Sequence, residues 1–440
     1  MSRRLAGSVA LGCPCALLLA ACFGGSEPEP TPSVVDLPVE QVVLKFQPHT
    51  TDYSTYDRLL DEYEALHPGI VIETVGETHY EGRQDPLWAF LPEEHEADIV
   101  EFTADTLGSV MADSDQFVDL RDYGAGEREG DFLPWKWEQA VDRSGRVIGY
   151  GTDIGPEGLC FRQDLLAEAG IARDRDELAE LLSADGGGWD VYFEVGRRYH
   201  EVTGRAWFDQ SEFVWRAMGS QLPAAYYTAE GVLNVEGNAE LKARWDLLAA
   251  AVADGLSAAE SPWNWGWTGG EPFVDGTFAT FVCPGWMLEV VQDETESDGG
   301  GPGTGWDFAD VFPGGAANWA GGFLGVPATS EHQEAAADFA SWLTSPEQQL
   351  RLYEEAGAYP STLAAIDQLA ANARPDEFFN DAPVNAILAS RAQDVVVQFT
   401  GPGSYEVQDS FCGVAGVQDQ GTLVGDEAWN QVLTLVSSFR

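Results

Sequence analysis

Residues 42–75 constrain the fold more than any other part of the chain. Val42-Val43-Leu44-Lys45-Phe46 is a short apolar run of strand type. Thr55 to Leu66 then carries Tyr56, Leu59, Leu60, Tyr63 and Leu66, the spacing of an amphipathic helix. Pro68-Gly69 stops that helix, and Ile70 to Val75 reads as a second strand. Strand, helix and strand at this spacing make a βαβ unit, whose strands lie parallel because the helix crosses back over the sheet. The expected class is therefore α/β. Ala97 to Phe102 is the next strand, with a helix after Thr106. Ligands of such sheets sit outside the carboxyl ends of the strands, which puts Glu101, Phe102 and Asp105 at a ligand edge.

A second α/β block begins near Gly155. Gly158 to Phe161 reads as a strand, and Asp164 to Ala169 as a short helix closed by Gly170. Helical pieces follow at Leu178–Leu182 and Val191–His200, and a strong helix runs from Ala239 to Ala253, ended by Gly255. Phe278 to Val282 is a strand, and Glu294 to Gly305 reads as a mobile loop of glycine and acid. Glu334 to Leu343 is helical, and Ser345-Pro346-Glu347-Gln348 opens another helix that runs to Gly357. At 440 residues the chain is too long for one core, so two lobes are expected.

The first residues read as an export signal. Arg3 and Arg4 precede an apolar stretch ending in Leu19-Ala20-Ala21-Cys22. The cysteine after Leu-Ala-Ala resembles the bacterial lipobox, in which the thiol is lipidated and becomes residue one. The tether that follows, rich in Gly, Glu and Pro, has no means of packing. No other apolar run is long enough to span a bilayer.

Charge narrows the partners. With 73 acidic residues against 23 basic ones the net charge is −50, which repels phosphate backbones and anionic headgroups. Nucleic acid, charge-driven membrane binding and strongly anionic ligands are excluded. Only Lys45, Lys136 and Lys242 are lysines, and an acid-rich, lysine-poor exported surface suits a saline habitat. No cysteine or histidine cluster points to a metal, and no cofactor is expected. Once Cys13 and Cys15 leave with the signal and Cys22 takes lipid, Cys160, Cys283 and Cys412 remain. They fit one disulfide, with Cys283–Cys412 the expected pair, or three small buried hydrophobes.

Tryptophan points to a ligand. Of 15 tryptophans, six (Trp263, Trp265, Trp267, Trp286, Trp306 and Trp319) fall within residues 263–319, where even scatter would put about two. Trp263, Trp265 and Trp267 share one face if that segment is extended. A sugar offers a C–H face that suits an indole ring and a hydroxyl rim that suits carboxylates and amides. Tryptophan with Asp, Glu and Asn, and without Lys or Arg, is the lining expected for a neutral polyol.

The motifs resemble a known family. Val147-Ile148-Gly149-Tyr150-Gly151-Thr152-Asp153, with Gly158 to Leu165 and Ala169-Gly170-Ile171, resembles the crossover "GxxYGxPxD…GLxYNxDLxxxAG" of extracellular sugar-binding lipoproteins of ABC importers, the solute-binding class related to maltose-binding protein. Arg162-Gln163 stands where that family usually has Asn-Lys, and Thr152 where Pro is common. Asp275 to Phe281 with Pro284-Gly285-Trp286 resembles a further family strand and turn, whose Trp stacks on sugar. Asn318-Trp319-Ala320-Gly321-Gly322 resembles the return crossover, and Ala335 to Pro360 the family's helices.

The resemblance implies a periplasmic-binding-protein type II fold, two α/β lobes joined by a multi-crossover hinge. Residues 1–21 would be signal peptide and 22–39 the lipidated Cys22 with its tether. Lobe 1 would take 40–152 with 312–356, and lobe 2 would take 153–311 with 357–440. Crossovers are expected near 150–155, 312–322 and 355–361. The implied ligand residues are Trp286, Trp265, Trp267, Trp263, Trp319, Asn318, Glu101, Phe102, Asp105, Asp153, Trp215 and Gly321. Phe213 would lie on the lobe-two face, and His49, Thr50 and Asp52 would face the cleft from lobe one. The implied function is capture of a neutral di- or oligosaccharide, cellobiose or another β-linked sugar, by a monomer that delivers it to ABC permease subunits. A secreted glycoside hydrolase is the rival reading, but no carboxylate pair stands out by spacing and no nucleophile or metal motif is present.

Overall fold

Val42–Gln47 (β1) and Ile70–Thr74 (β2) pair in parallel in the computed structural model of the chain, from Val42 beside Ile70 to Phe46 beside Thr74. The structure describes residues 41–49, 54–75, 97–260 and 270–439. Between the two strands the helix Ser54–Leu66 turns Tyr56, Leu59, Leu60 and Tyr63 into the core. The βαβ unit therefore forms as its periodicity predicts.

The later strands are Ile99–Thr103 (β3), Tyr150–Gly151 (β4), Asp153–Ile154 (β5), Glu157–Arg162 (β6), Ala206–Phe208 (β7), Phe278–Pro284 (β8), Trp306–Ala309 (β9), Gly322–Gly325 (β10) and Tyr359–Pro360 (β11). One sheet has the order β2-β1-β3-β10-β4, a second β7-β8-β6-β9, and β5 pairs with β11 alone. In the first sheet β1 is parallel to β2 and β3, while β10 is inserted antiparallel between β3 and β4. Each sheet has its own core. Leu44, Phe46, Tyr63 and Phe339 pack on the first; Phe161, Trp207, Trp245 and Phe281 pack on the second. The fold is α/β with two lobes.

The chain passes between the sheets three times. It leaves β4 for β6 through residues 152–156, returns from β9 to β10 through 310–321, and leaves again after the helix Pro346–Ala356 through β11. The β5–β11 pair joins the first and third passages, setting Ile154 beside Tyr359. An isolated bridge from Pro156 to Asn318 joins the first and second.

Two sequence expectations are corrected. The disulfide links Cys160 to Cys283, with Cα atoms 5.6 Å apart, and Cys412 is the buried free thiol. The β6–β8 register sets Cys160 beside Phe281 and Gly158 beside Cys283, so the two cysteines are diagonal neighbours on one face of the sheet. Cys412 lies inside the helix Ser404–Asp419, and burial pushes its thiol up to about 12. Residues 294–297, expected in a loop, end the helix Met287–Ser297, whose last turn is held by Thr295 donating to the Val291 carbonyl. The helix Pro346–Ala356 forms as expected, with Ser345 at its N-cap, Pro346 in its first turn and Gly357 at its C-cap, although the Ser345 side chain makes no capping bond. Beyond Ser361 the chain continues as four more helices, Leu363–Ala371, Val384–Ala392, Ser404–Asp419 and Asp426–Val436. Among the described residues no helix is long and apolar enough to cross a membrane.

Candidate functional site at the lobe crossovers

The crossovers meet too closely for side chains at some positions. A Cβ on Gly155 would lie 1.9 Å from the Trp319 carbonyl oxygen, which itself belongs to the second passage. Backbone bonds replace those side chains: Trp319 N–H donates to the Gly155 carbonyl at 2.8 Å, and Thr152 N–H to that of Gly322 at 2.9 Å. The Asp153 carboxylate accepts from Gly322 N–H at 2.8 Å and from the Thr152 hydroxyl at 2.7 Å. Asn318 binds the Gly155 N–H through its side-chain oxygen at 2.9 Å. Ala320 and Gly321 both take left-handed backbone, φ +107° and +104°. For Ala320 this conformation carries strain, which the surrounding bonds hold in place. The effect is to turn Trp319 into the space between the sheets.

That space is a cleft of about 970 Å³, lined by His49, Tyr56, Glu101, Asp105, Asp153 and Trp319 among others. Glu101 reaches it from β3 and accepts from His49 N–H at 2.9 Å and from the Tyr56 hydroxyl at 3.1 Å. Burial nevertheless pushes its carboxyl up to about 7. Asp105 is raised by burial, against the pull of the Arg216 guanidinium, and His49 is lowered by burial. Trp319 forms the aromatic wall. Its ring meets Phe213 edge-on at 4.6 Å and Trp286 edge-on at 5.2 Å, and the Arg216 guanidinium carbon sits 4.7 Å from its centre.

A second cavity of about 660 Å³ continues past Trp319, with Asp105 and Trp319 as shared walls and Glu157, Arg216, Asn318 and Gln139 added. Glu157 is fully buried and neither of its carboxylate oxygens has a hydrogen-bond partner. Burial pushes its carboxyl up to about 8, with Arg216 opposing. Held mostly protonated near neutral pH, such an acid offers a ligand hydroxyl both a donor and an acceptor.

Beneath the cleft floor lies Lys136, from the helix Pro134–Gln139. It is 1% exposed, its ammonium is without a hydrogen-bond partner, and it sits 3.7 Å from the Phe323 ring centre. Burial pushes it down to about 7, against the attraction of Asp153 and Glu101. Arg216, in the wall of the second cavity, corrects the expectation of a lining without cations, and Lys136 adds a second cation behind the lining. Neither is wasted on water: Arg216 backs Trp319, and Lys136 balances the floor carboxylates.

Of the residues named from the sequence, Glu101, Asp105, Asp153, Trp319, Gly321 and His49 line the first cleft, and Asn318 the second. Trp286 lies behind Trp319 and lines neither. Phe102 points away from the cleft, stacked on Phe323 and packed near Phe117 in a buried cluster. Trp215 is fully buried, stacked on Phe411 and bonded to the Tyr226 hydroxyl. Both are core residues, because the strand and helix faces that carry them turn inward. Trp306 is also core, its indole N–H donating to the Phe273 carbonyl. Trp263, Trp265, Trp267, Thr50, Asp52 and Cys22 lie outside the described residues. Sequence reasoning missed Lys136, Glu157 and Arg216. A lone Glu between Pro156 and Gly158, at the head of a buried strand, was the readable sign for Glu157.

Two lobes, three crossovers and a polar, tryptophan-walled cleft between them define a ligand-capturing protein. The chain belongs to the bacterial extracellular solute-binding proteins, whose family model matches residues 58–383. It is similar to a crystal structure of an extracellular solute-binding protein of family 1, with 38% identity, TM-score 0.82, and 90% of this chain and 99% of that one covered. It also shares its fold with the ABC-transporter-associated binding protein from B. animalis subsp. lactis Bl-04 in complex with β-1,6-galactobiose, at 17% identity, TM-score 0.66, and 90% and 96% coverage. A curated relative is the lactose-binding protein of Rhizobium radiobacter, 27% identical over 247 residues, 54% of this chain. The match spans 56% of that relative's length. Among the described residues no group of His, Cys, Asp and Glu is arranged to hold a metal ion.

Proposed function

We propose that this protein is the sugar-binding subunit of an ABC importer, exported and held at the outer face of the membrane through a lipidated Cys22. It captures a neutral di- or oligosaccharide, with cellobiose or another β-linked sugar the first choice, as a monomer, and presents it to the transmembrane permease subunits. Residues 40–152 with 312–356 act as lobe 1 and residues 153–311 with 357–440 as lobe 2. The function is capture, with no catalytic residue. The observation that carries this reading is Trp319, fixed on a crossover between Phe213, Trp286 and Arg216 and facing a cleft with Glu101, Asp105 and Asp153. An aromatic wall opposite carboxylates matches the two surfaces of a pyranose. Its place on a passage between the lobes would let Trp319 couple occupancy to lobe closure. The lactose-binding relative and the neighbours bound to β-1,6-galactobiose and to maltose support a di- or oligosaccharide ligand of either linkage.

Tryptophan-fluorescence titration with cellobiose, lactose, β-1,6-galactobiose and maltose tests the class. A saturable change with a β-linked sugar, and a weaker one with maltose, is expected. Saturation by an amino acid or peptide with no response to any sugar would overturn the reading.

A further inference from the structure

The interlobe space does not end at the second cavity. A third, of about 1200 Å³, opens between the helix Leu107–Ala112 and the segment 397–402. The cavities run into one another: the first two share Asp105 and Trp319, and the last two share Leu107, Gln139, Gln398 and Thr400. They form one groove.

Hydrogen-bonding capacity is left unused along that groove. Both Glu157 oxygens, Arg216 Nε and Gln139 Oε1 are buried without a partner, and all three residues line the second cavity. Gln139 carries the row on into the third. Buried polar atoms in folded proteins are ordinarily satisfied, so this row calls for an occupant with many hydroxyls. At the far end the side chains turn apolar while staying uncovered. Phe399 is 36% exposed and Val396 39%, two large apolar residues on one loop, lining the third and second cavities. The loop is tied down, because Phe399 N–H donates to the Pro223 carbonyl at 2.7 Å. Met111 lies on the same cavity's lobe-one wall. A fixed aromatic ring beside a polar groove is a platform for the C–H face of a further ring.

We propose that the third cavity is an additional ligand subsite with Phe399 as its platform, and that the ligand is a linear oligosaccharide of at least three units. This rests on the sugar reading above and deepens it: a disaccharide fills only the part of the groove around Trp319. Glu138 and Arg143, which also line the third cavity, supply rim acceptors and donors for the outer unit.

Calorimetry on the full chain with matched pairs of three linkages tests this: cellobiose and cellotetraose, xylobiose and xylotetraose, maltose and maltotetraose. In the series that binds, the tetrasaccharide is expected to bind at least about tenfold tighter than its disaccharide. Phe399→Ala narrows that ratio toward one, and Met111→Ala, on the opposite wall, narrows it too, so the result does not hang on the folding of one variant. Equal affinity within every binding series overturns the third subsite and leaves the sugar reading standing. So does a ratio that neither variant changes. If neither these series nor lactose and β-1,6-galactobiose bind, the sugar reading fails and the subsite with it; if only those two disaccharides bind, the subsite alone fails.

Discussion

The indole N–H of Trp286 donates to the backbone carbonyl of Trp319 at 3.1 Å, and the two rings meet edge-on, 84° apart. Trp286 follows β8 on the second lobe, whereas Trp319 rides the passage between the lobes. The bond therefore fixes a cleft residue to one lobe from behind. Trp286→Phe is expected to keep the ring contact and lose the tie. Affinity should fall by a factor of ~3 to 10, the usual range for one hydrogen bond, with little loss of stability. Trp286→Ala should lose more of both. Paired calorimetry and thermal melts separate the two effects.

Gly155 is the tightest point of the hinge. Any side chain there puts its Cβ 1.9 Å from the Trp319 carbonyl oxygen, a backbone atom with no rotamer to escape into, so one crossover has to move. Gly155→Ala should cost on the order of 1–3 kcal/mol, the range for overpacking a rigid site. Urea unfolding reads it. The same substitution at Gly124, where a Cβ would meet nothing within 4 Å, loses only what its φ of +91° imposes.

Much of this was legible in the sequence, and the reason is periodicity. The βαβ unit announces itself through Tyr56, Leu59, Leu60 and Tyr63, because one buried helix face repeats every three or four residues. The crossovers were legible as glycine-rich motifs at Gly149–Gly151 and Gly321–Gly322, where close approach excludes side chains. What was not legible depends on register or on distant packing. Nothing in the spacing of three cysteines says that Cys160 and Cys283 share a sheet face; the β6–β8 register decides it. Trp215 and Trp319 look alike in composition, yet one stacks on Phe411 in the core and the other walls the cleft. Lys136 is buried because Gly151, at the end of β4, and Gly321, on the second passage, both close over it. No local pattern encodes that.

Glu101 gives stability a pH dependence of known sign. Its carboxyl rises from 4.5 to about 7 in the folded chain, so ionising it is harder folded than unfolded. The cost is absent below pH 4.5, grows as pH rises from 4.5 to about 7, and is constant above. Glu101→Gln removes it while keeping an oxygen for His49 and Tyr56. The variant should match wild type near pH 4.5 and gain on it to a plateau above pH 7, by on the order of 2 kcal/mol after allowance for solvent screening. Urea midpoints at both ends of that window check it; a gain that shrinks with rising pH contradicts the assignment.

The charge of −50 is spread over the whole chain, with few cations to answer it. Self-repulsion of this kind is relieved by screening, since the Debye length falls from about 30 Å at 0.01 M to about 3 Å at 1 M salt. Melting temperature should rise as sodium chloride is added from low ionic strength. A flat or falling curve would show that the acidic surface is not what limits stability.

In the proposed function capture turns on Trp319, an aromatic side chain that lines both inner cavities and sits on a crossover. The most direct measurement is calorimetric titration of wild type and Trp319→Ala with the β-linked sugar that binds best, alongside their melting temperatures. Saturable one-to-one binding by wild type is expected, weakened at least ~30-fold in the variant, as for a central aromatic contact, while the melting temperature holds within a few degrees. Equal affinity in the two proteins would contradict the account.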